Sequence, residues 1–239
     1  MRQALRLDRL ASLPYHALGA AGLVVAVMAC AHTLRSIAPV DLLPASPDTI
    51  SAWSADFRPL VPLKYQLRWR FENSLGASAG RAVVRYAPPD TLRFDFRGPL
   101  GRSGSAVIVR GEPVWAEPAG DFEDLVPVAP ILWAALGIVM TPADSATLMG
   151  RDEPGWRAWR YVQGEEAIDF IYQREPTPRL QAEVRHGERV AGVVAVDLAP
   201  TDPRPTRAVM RFAGGGSLTF TVQTRDSVAA FPPDTWQRS

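Results

Sequence analysis

The sequence predicts a mainly β protein of the α+β class, with about eleven antiparallel strands and helices inserted near the start and the middle. Three observations support this. Apolar residues alternate with polar ones over many short runs, turn residues separate those runs, and only two stretches break the alternation with helical spacing. At 239 residues with 47% apolar and 21% charged side chains, the chain can bury a sizeable core.

The first strand shows the pattern most clearly. Leu63, Tyr65, Leu67, Trp69 and Phe71 alternate with Lys64, Gln66, Arg68, Arg70 and Glu72, as expected of an antiparallel strand with one buried and one wet face. Residues 81–87 place Ala82, Val84 and Tyr86 on one side, and 91–97 alternate Leu92, Phe94 and Phe96 with Arg93, Asp95 and Arg97. Shorter strands are expected at 105–110 and 113–117, with turn chemistry at 75–79, 88–90, 98–101 and 111–112. Strands resume at 156–162, 167–173, 180–186, 190–198, 207–213 and 217–224. Between these two groups, Leu125, Val128, Leu132, Leu136 and Val139 recur along one side of a helical stretch at 122–140. Pro127 and Pro130 either divide that stretch or confine its regular part to 130–138.

The first residues read as a targeting segment. Residues 1–16 carry Arg2, Arg6 and Arg9, and residues 17–31 then run without charge, the order of a signal peptide. About 15 apolar residues are short of the roughly 20 needed to span a bilayer core as a helix. The run ends at Cys30, the only cysteine, so no internal disulfide and no multi-thiolate zinc site can form. Val27-Met28-Ala29-Cys30 resembles a bacterial lipobox, although Met28 is larger than the usual occupant. The resemblance implies cleavage after residue 29 and covalent diacylglycerol and acyl groups on Cys30. An uncleaved anchor helix or ordinary secretion are the alternatives. If the lipobox resemblance holds, Ala31 is the second mature residue and not the aspartate that retains many lipoproteins in the inner membrane, so the resemblance implies the periplasmic face of the outer membrane.

Residues 30–62, rich in Pro, Ala, Ser and Asp, read as a tether. A short helix near 47–57 interrupts it: Ser46 is a candidate N-cap, Pro47 takes the first helical position, and Ile50, Trp53 and Phe57 share a face. Residues 63–239 form the globular domain.

Little in this domain suggests catalysis or a resident cofactor. The three histidines, His16, His32 and His186, lie in the leader, the tether and beside a turn, so a multi-histidine metal site is not expected. The nearest approach to a nucleophile elbow, Gly101-Arg102-Ser103-Gly104, lacks its final glycine, and no phosphate-binding glycine motif occurs. Glu165-Glu166 read as a solvated turn, and Asp121, Glu123 and Asp124 as helix-start acids. The net charge is +1, of which the leader contributes +2, leaving about −1 for the rest and no basic field for nucleic acid. The expectation is therefore a monomeric binding protein and no enzyme. Large apolar side chains are unusually abundant. Trp69, Phe71, Phe94, Phe96, Trp115 and Trp133 either fill a core or line a cavity for acyl chains, closed by the helix carrying Trp133.

The order of elements, with the segment Leu92-Arg-Phe-Asp-Phe-Arg-Gly-Pro99-Leu100-Gly101-Arg-Ser-Gly-Ser-Ala-Val-Ile-Val109, resembles the LolA/LolB superfamily, and LolB-type outer-membrane lipoprotein receptors in particular. The resemblance implies a half-open antiparallel barrel with helices as a lid. It also implies lipoprotein cargo or its acyl chains as ligand, membrane lipid as a further partner, and a LolA-like periplasmic carrier as donor. Leu100 then corresponds to a protruding membrane-contact residue; the alternative is a tight turn with Leu100 folded back on the sheet. A second role on the same fold is a lipid-anchored structural or interaction module of the envelope without lipid transfer.

Overall fold

The computed structural model describes residues 34–238. The proposed signal peptide (1–29) and Cys30 lie outside the described residues. Among the described residues, thirteen strands form one sheet. The first meander comprises β2 (Leu63–Asn73), β3 (Gly76–Ala87), β4 (Thr91–Arg97), β5 (Ser103–Val109) and β6 (Glu112–Glu117). The second comprises β7 (Thr147–Glu153), β8 (Trp156–Gln163), β9 (Glu166–Gln173), β10 (Arg179–His186), β11 (Arg189–Ala199), β12 (Asp202–Phe212) and β13 (Ser217–Ser227). Pairing of β13 with β2 joins the two, and the two-residue strand β1 (Leu43–Pro44) extends the far edge beyond β7. Every pairing is antiparallel, and the edges β1 and β6 do not meet, so the sheet is open.

The helices are α1 (Pro47–Ser54), α2 (Ala119–Leu125) and α3 (Ala129–Ala135). Contacts of α3 show that the sheet curls around it. The helix packs on β10, β11 and β12 and also on β6, and Trp133 meets Tyr86 of β3 edge-on at 5.8 Å. The Tyr65 hydroxyl on β2 donates to the Leu136 carbonyl at 3.1 Å. In a flat sheet β10 and β6 would stand about 38 Å apart at roughly 4.8 Å per strand, several helix diameters. One short helix reaches both sides only inside a concave sheet.

The helical stretch expected at 122–140 is two separate short helices. Val126 leaves helical geometry (φ −134°) just before Pro127, and α3 restarts with Pro130 in its first turn. It ends at Ala135, before Gly137 adopts a φ of +69°. The cap of α1 is as read: Ser46 accepts from the Thr49 amide at 3.1 Å and Pro47 opens the helix. Ile50 and Phe57 are buried, and Trp53 lies on Gly150 of β7.

The strands β1 and β7 escaped the sequence. In β7, Gly150 interrupts the alternation because the Trp53 ring occupies the space a side chain would fill. The stretch 75–79, read as a connection, belongs largely to β3, which starts at Gly76 opposite Asn73. Residues 36–45, read as tether, are docked. Ser36 donates to Glu183 at 2.8 Å, the Ile37 amide donates to the same carboxylate at 2.6 Å, and the Pro39 carbonyl accepts from Arg160. Glu183 and Asp169 are fully buried beneath this strap, with Asp169 bridging Arg160 (2.6 Å) and Arg185 (2.9 Å). Such buried carboxylates need these partners, since isolated they would be costly.

Candidate functional site

An apolar pocket of about 420 Å³ opens at one end of the concave face. Trp69 and Phe71 of β2, Phe96 of β4 and Leu125 of α2 line it, and Leu75 and Pro99 stand at its mouth. Strand parity brings Trp69, Phe71 and Phe96 to one face, because successive side chains alternate. Their seats are made by small residues. Trp69 lies across Gly80, where an added Cβ would fall 2.7 Å from the indole and collide with the Arg97 carbonyl. Phe96 lies over Gly104 in the same way. The Trp69 Nε1–H donates to the Arg81 carbonyl at 3.2 Å, and the two rings meet edge-on at 6.3 Å. The indole is thus fixed in plane and angle without a partner from the pocket.

The rim is polar. Arg102 pairs with Asp121 at 2.9 Å and so ties the β4–β5 turn to α2, with Asp124 beside it. An exposed pair of this kind contributes little stability; its effect is to position the turn. Within that turn Leu100 is completely exposed (102%) and adopts left-handed backbone geometry, φ 55° and ψ 30°. Backbone bonds from the Gly98 amide to the Arg102 carbonyl (2.7 Å) and from the Arg102 amide to the Pro99 carbonyl close the turn. The alternative in which Leu100 folds back on the sheet is therefore overturned. Leu75, in the neighbouring β2–β3 turn, is 93% exposed. Sequence reading passed over it, although a lone leucine between Ser74 and Gly76 was the available signal.

The six cavity candidates divide into three groups. Trp69, Phe71 and Phe96 line the pocket. Phe94 and Trp133 are core: Phe94 stacks on Phe220 at 5.9 Å and meets Phe122 at 6.2 Å, while Trp133 is 1% exposed beneath Tyr86. Neither lines the pocket, so the cavity expected under the Trp133 helix is displaced to the end of the sheet. Trp115 is a correction. It pairs with Val107 and not with the inward Ala106 or Ile108, so it faces outward. There it stacks under Arg93 (5.4 Å) and donates to the Trp236 carbonyl at 3.1 Å, holding the C-terminal segment.

Burial raises the Tyr86 phenol to about 12, and its hydroxyl donates to the Pro89 carbonyl at 3.1 Å. Burial likewise pushes Tyr65 and Tyr161 upward. These are core groups away from the pocket. Asp152 is lowered by its hydrogen bond from Arg157 and, further, by Arg174. Among the described residues no group of His, Cys, Asp or Glu is placed to hold a metal ion. No helix among them is long and apolar enough to cross a membrane.

No protein-family model matches the sequence, and no curated protein matches it. Solved structures do match the fold. A LolA superfamily protein from Nitrosomonas europaea superposes with a TM-score of 0.53 at 10% identity, over 81% of this chain and 98% of that one. A putative outer membrane lipoprotein-sorting protein domain from Vibrio parahaemolyticus gives 0.48 at 6% identity, over 80% and 96%. A DUF1329 family protein from Desulfovibrio piger gives 0.49 at 7% identity, over 80% and 95%. The first of these carries the fold comparison. The chain has a LolA/LolB-like fold: a large open antiparallel sheet with a few helices against its concave face.

Proposed function

We propose that this chain is an outer-membrane lipoprotein, acylated at Cys30 and held on the periplasmic face. It receives a lipoprotein acyl chain at the open end of its half-barrel and passes the cargo to the membrane. The pocket of Trp69, Phe71, Phe96 and Leu125 carries the reading. Its 420 Å³ lies within the range of small-ligand sites, roughly 300–1,000 Å³, and its floor is apolar. Leu100 and Leu75 flank the mouth with no apolar surface of their own to cover, so they suit a brief touch on lipid. A LolA-like periplasmic carrier is the partner that this role requires, and no chemical step is assigned to the protein.

A second reading, the lipid-anchored structural module, is favoured by one observation. The concave face beneath α3 is filled by Ile131, Leu132 and Trp133, so among the described residues the space left on that face is at its end pocket.

Crosslinking in the membrane-anchored protein separates the two. A photoreactive phenylalanine replacing Phe71 should capture an acylated peptide and leave the unacylated peptide free. The same probe at Arg211, exposed on the outer face, should capture neither. Equal capture of both peptides at Phe71, or of neither, overturns acyl binding and leaves the structural module.

A further inference from the structure

The outer face of the sheet carries a row of three arginines in direct cross-strand register. Arg68 of β2 stands opposite Arg81 of β3, and Arg81 opposite Arg97 of β4. Thr221 of β13 faces Arg68 at one end of the row, and Ser103 of β5 faces Arg97 at the other. All three arginines are exposed. Directly opposed residues hold their Cβ atoms only about 4.5–5.5 Å apart, and like charges there repel.

Three nearby carboxylates, Asp95, Glu72 and Glu117, are held by other arginines, while Asp234 stands across a groove from Arg81 and Arg97. Asp95 is taken by Arg85, by Arg93 at 2.8 Å and by the Ser105 hydroxyl at 2.6 Å. Glu72 is held by Arg70 at 2.7 Å and Glu117 by Arg238 at 3.6 Å. Among the described residues, Arg68, Arg81 and Arg97 form no ion pair or side-chain hydrogen bond. Arg81, Arg97 and Ser103 also border a groove of about 870 Å³, whose other wall is the C-terminal segment at Pro232, Asp234 and Thr235.

We propose that this row is an anion site for a phosphate monoester. Three guanidinium groups flanked by two hydroxyls offer many donors along one line, and a phosphate dianion accepts on three oxygens. Binding would turn mutual repulsion into charge-assisted hydrogen bonds. The groove is on the opposite face from the acyl pocket, so the site stands or falls independently of lipoprotein transfer. If the Cys30 anchor holds, the surrounding source of such phosphates is a lipid headgroup; the alternative source is free phosphate.

The test is calorimetric titration of the full-length protein in nonionic detergent. The probes are dihexanoyl phosphatidic acid, inorganic phosphate, dihexanoyl phosphatidylcholine and a hexaglutamate peptide. The first two should bind saturably, and the zwitterionic lipid should bind at least tenfold more weakly than phosphatidic acid. The combined variant Arg68→Gln, Arg81→Gln, Arg97→Gln should weaken phosphate binding at least tenfold. Its melting temperature without anion should be unchanged or higher, because removing opposed like charges relieves repulsion. Phosphatidic acid binding tenfold tighter than inorganic phosphate assigns the headgroup as source, and equal binding assigns free phosphate; either supports the row. No saturable binding, binding that survives in the triple variant, or hexaglutamate binding as tightly as phosphate overturns it.

Discussion

Leu100 is poorly placed for stability. Its side chain is fully exposed and its φ is 55°, a left-handed geometry that costs an ordinary L-residue about 1–2 kcal/mol. Asparagine adopts this geometry more readily. Leu100→Asn should therefore keep the turn, whose closing bonds are made by the backbone of Gly98, Pro99 and Arg102. It should raise stability by up to about 1 kcal/mol, which for a domain of this size shifts the melting temperature by roughly 2–4 °C. Membrane contact should change in the opposite direction. A leucine side chain moved from water into lipid gains about 1.5–3 kcal/mol, and each 1.4 kcal/mol is about a factor of ten. Delivery of a bound lipoprotein from the variant to liposomes should slow at least tenfold, while loading stays unchanged. Leu100→Met, apolar and equally strained, should retain delivery. Thermal unfolding and a liposome transfer assay on both variants decide the matter. A Leu100→Asn protein that melts lower, or delivers cargo at the parental rate, refutes the argument that this leucine is kept for lipid contact.

Three further outcomes are expected. Cys30→Ser should move the protein from the membrane fraction to the soluble periplasm; retention in the membrane at full precursor mass would identify residues 17–31 as an anchor helix instead. Gly80→Ala should destabilise the domain by about 1–3 kcal/mol in urea unfolding, because the new methyl collides with the Arg97 carbonyl and the Trp69 ring; an unchanged midpoint would show that Trp69 is not seated on that strand. Tyr86 ionises at about 12 when folded and near 10 when unfolded, so its contribution is complete below pH 10 and is lost as pH rises from 10 to 12. Two pH units correspond to about 2–3 kcal/mol, and circular dichroism should show a shallower alkaline loss over that interval in Tyr86→Phe than in the parent.

Much of the sheet is legible in the sequence because each strand has one wet face. The alternation in β2 and β4 specifies which side chains turn inward, and Leu67, Trp69, Phe94 and Phe96 do so. The start of α1 is equally local, since Ser46 and Pro47 act within one turn of their own helix. Other features depend on partners far along the chain. Gly150 makes β7 look broken until Trp53 is seen to fill its place. Ser36 and Ile37 look like tether until Glu183, 147 and 146 positions away, accepts their hydrogen bonds. Trp69, Phe94 and Trp133 are all large and apolar in sequence; only the closing of the sheet around α3 decides that the last two are core and the first borders open space. Trp115 shows the reason most directly. A register irregularity between Val107 and Ile108 sets Trp115 opposite Val107, and in a strand of period two a slip of one residue exchanges the faces. Sequence determined that a tryptophan would lie in β6; the bulge determined that it packs on Arg93 and the C-terminal segment on the outer face instead of entering the concave core.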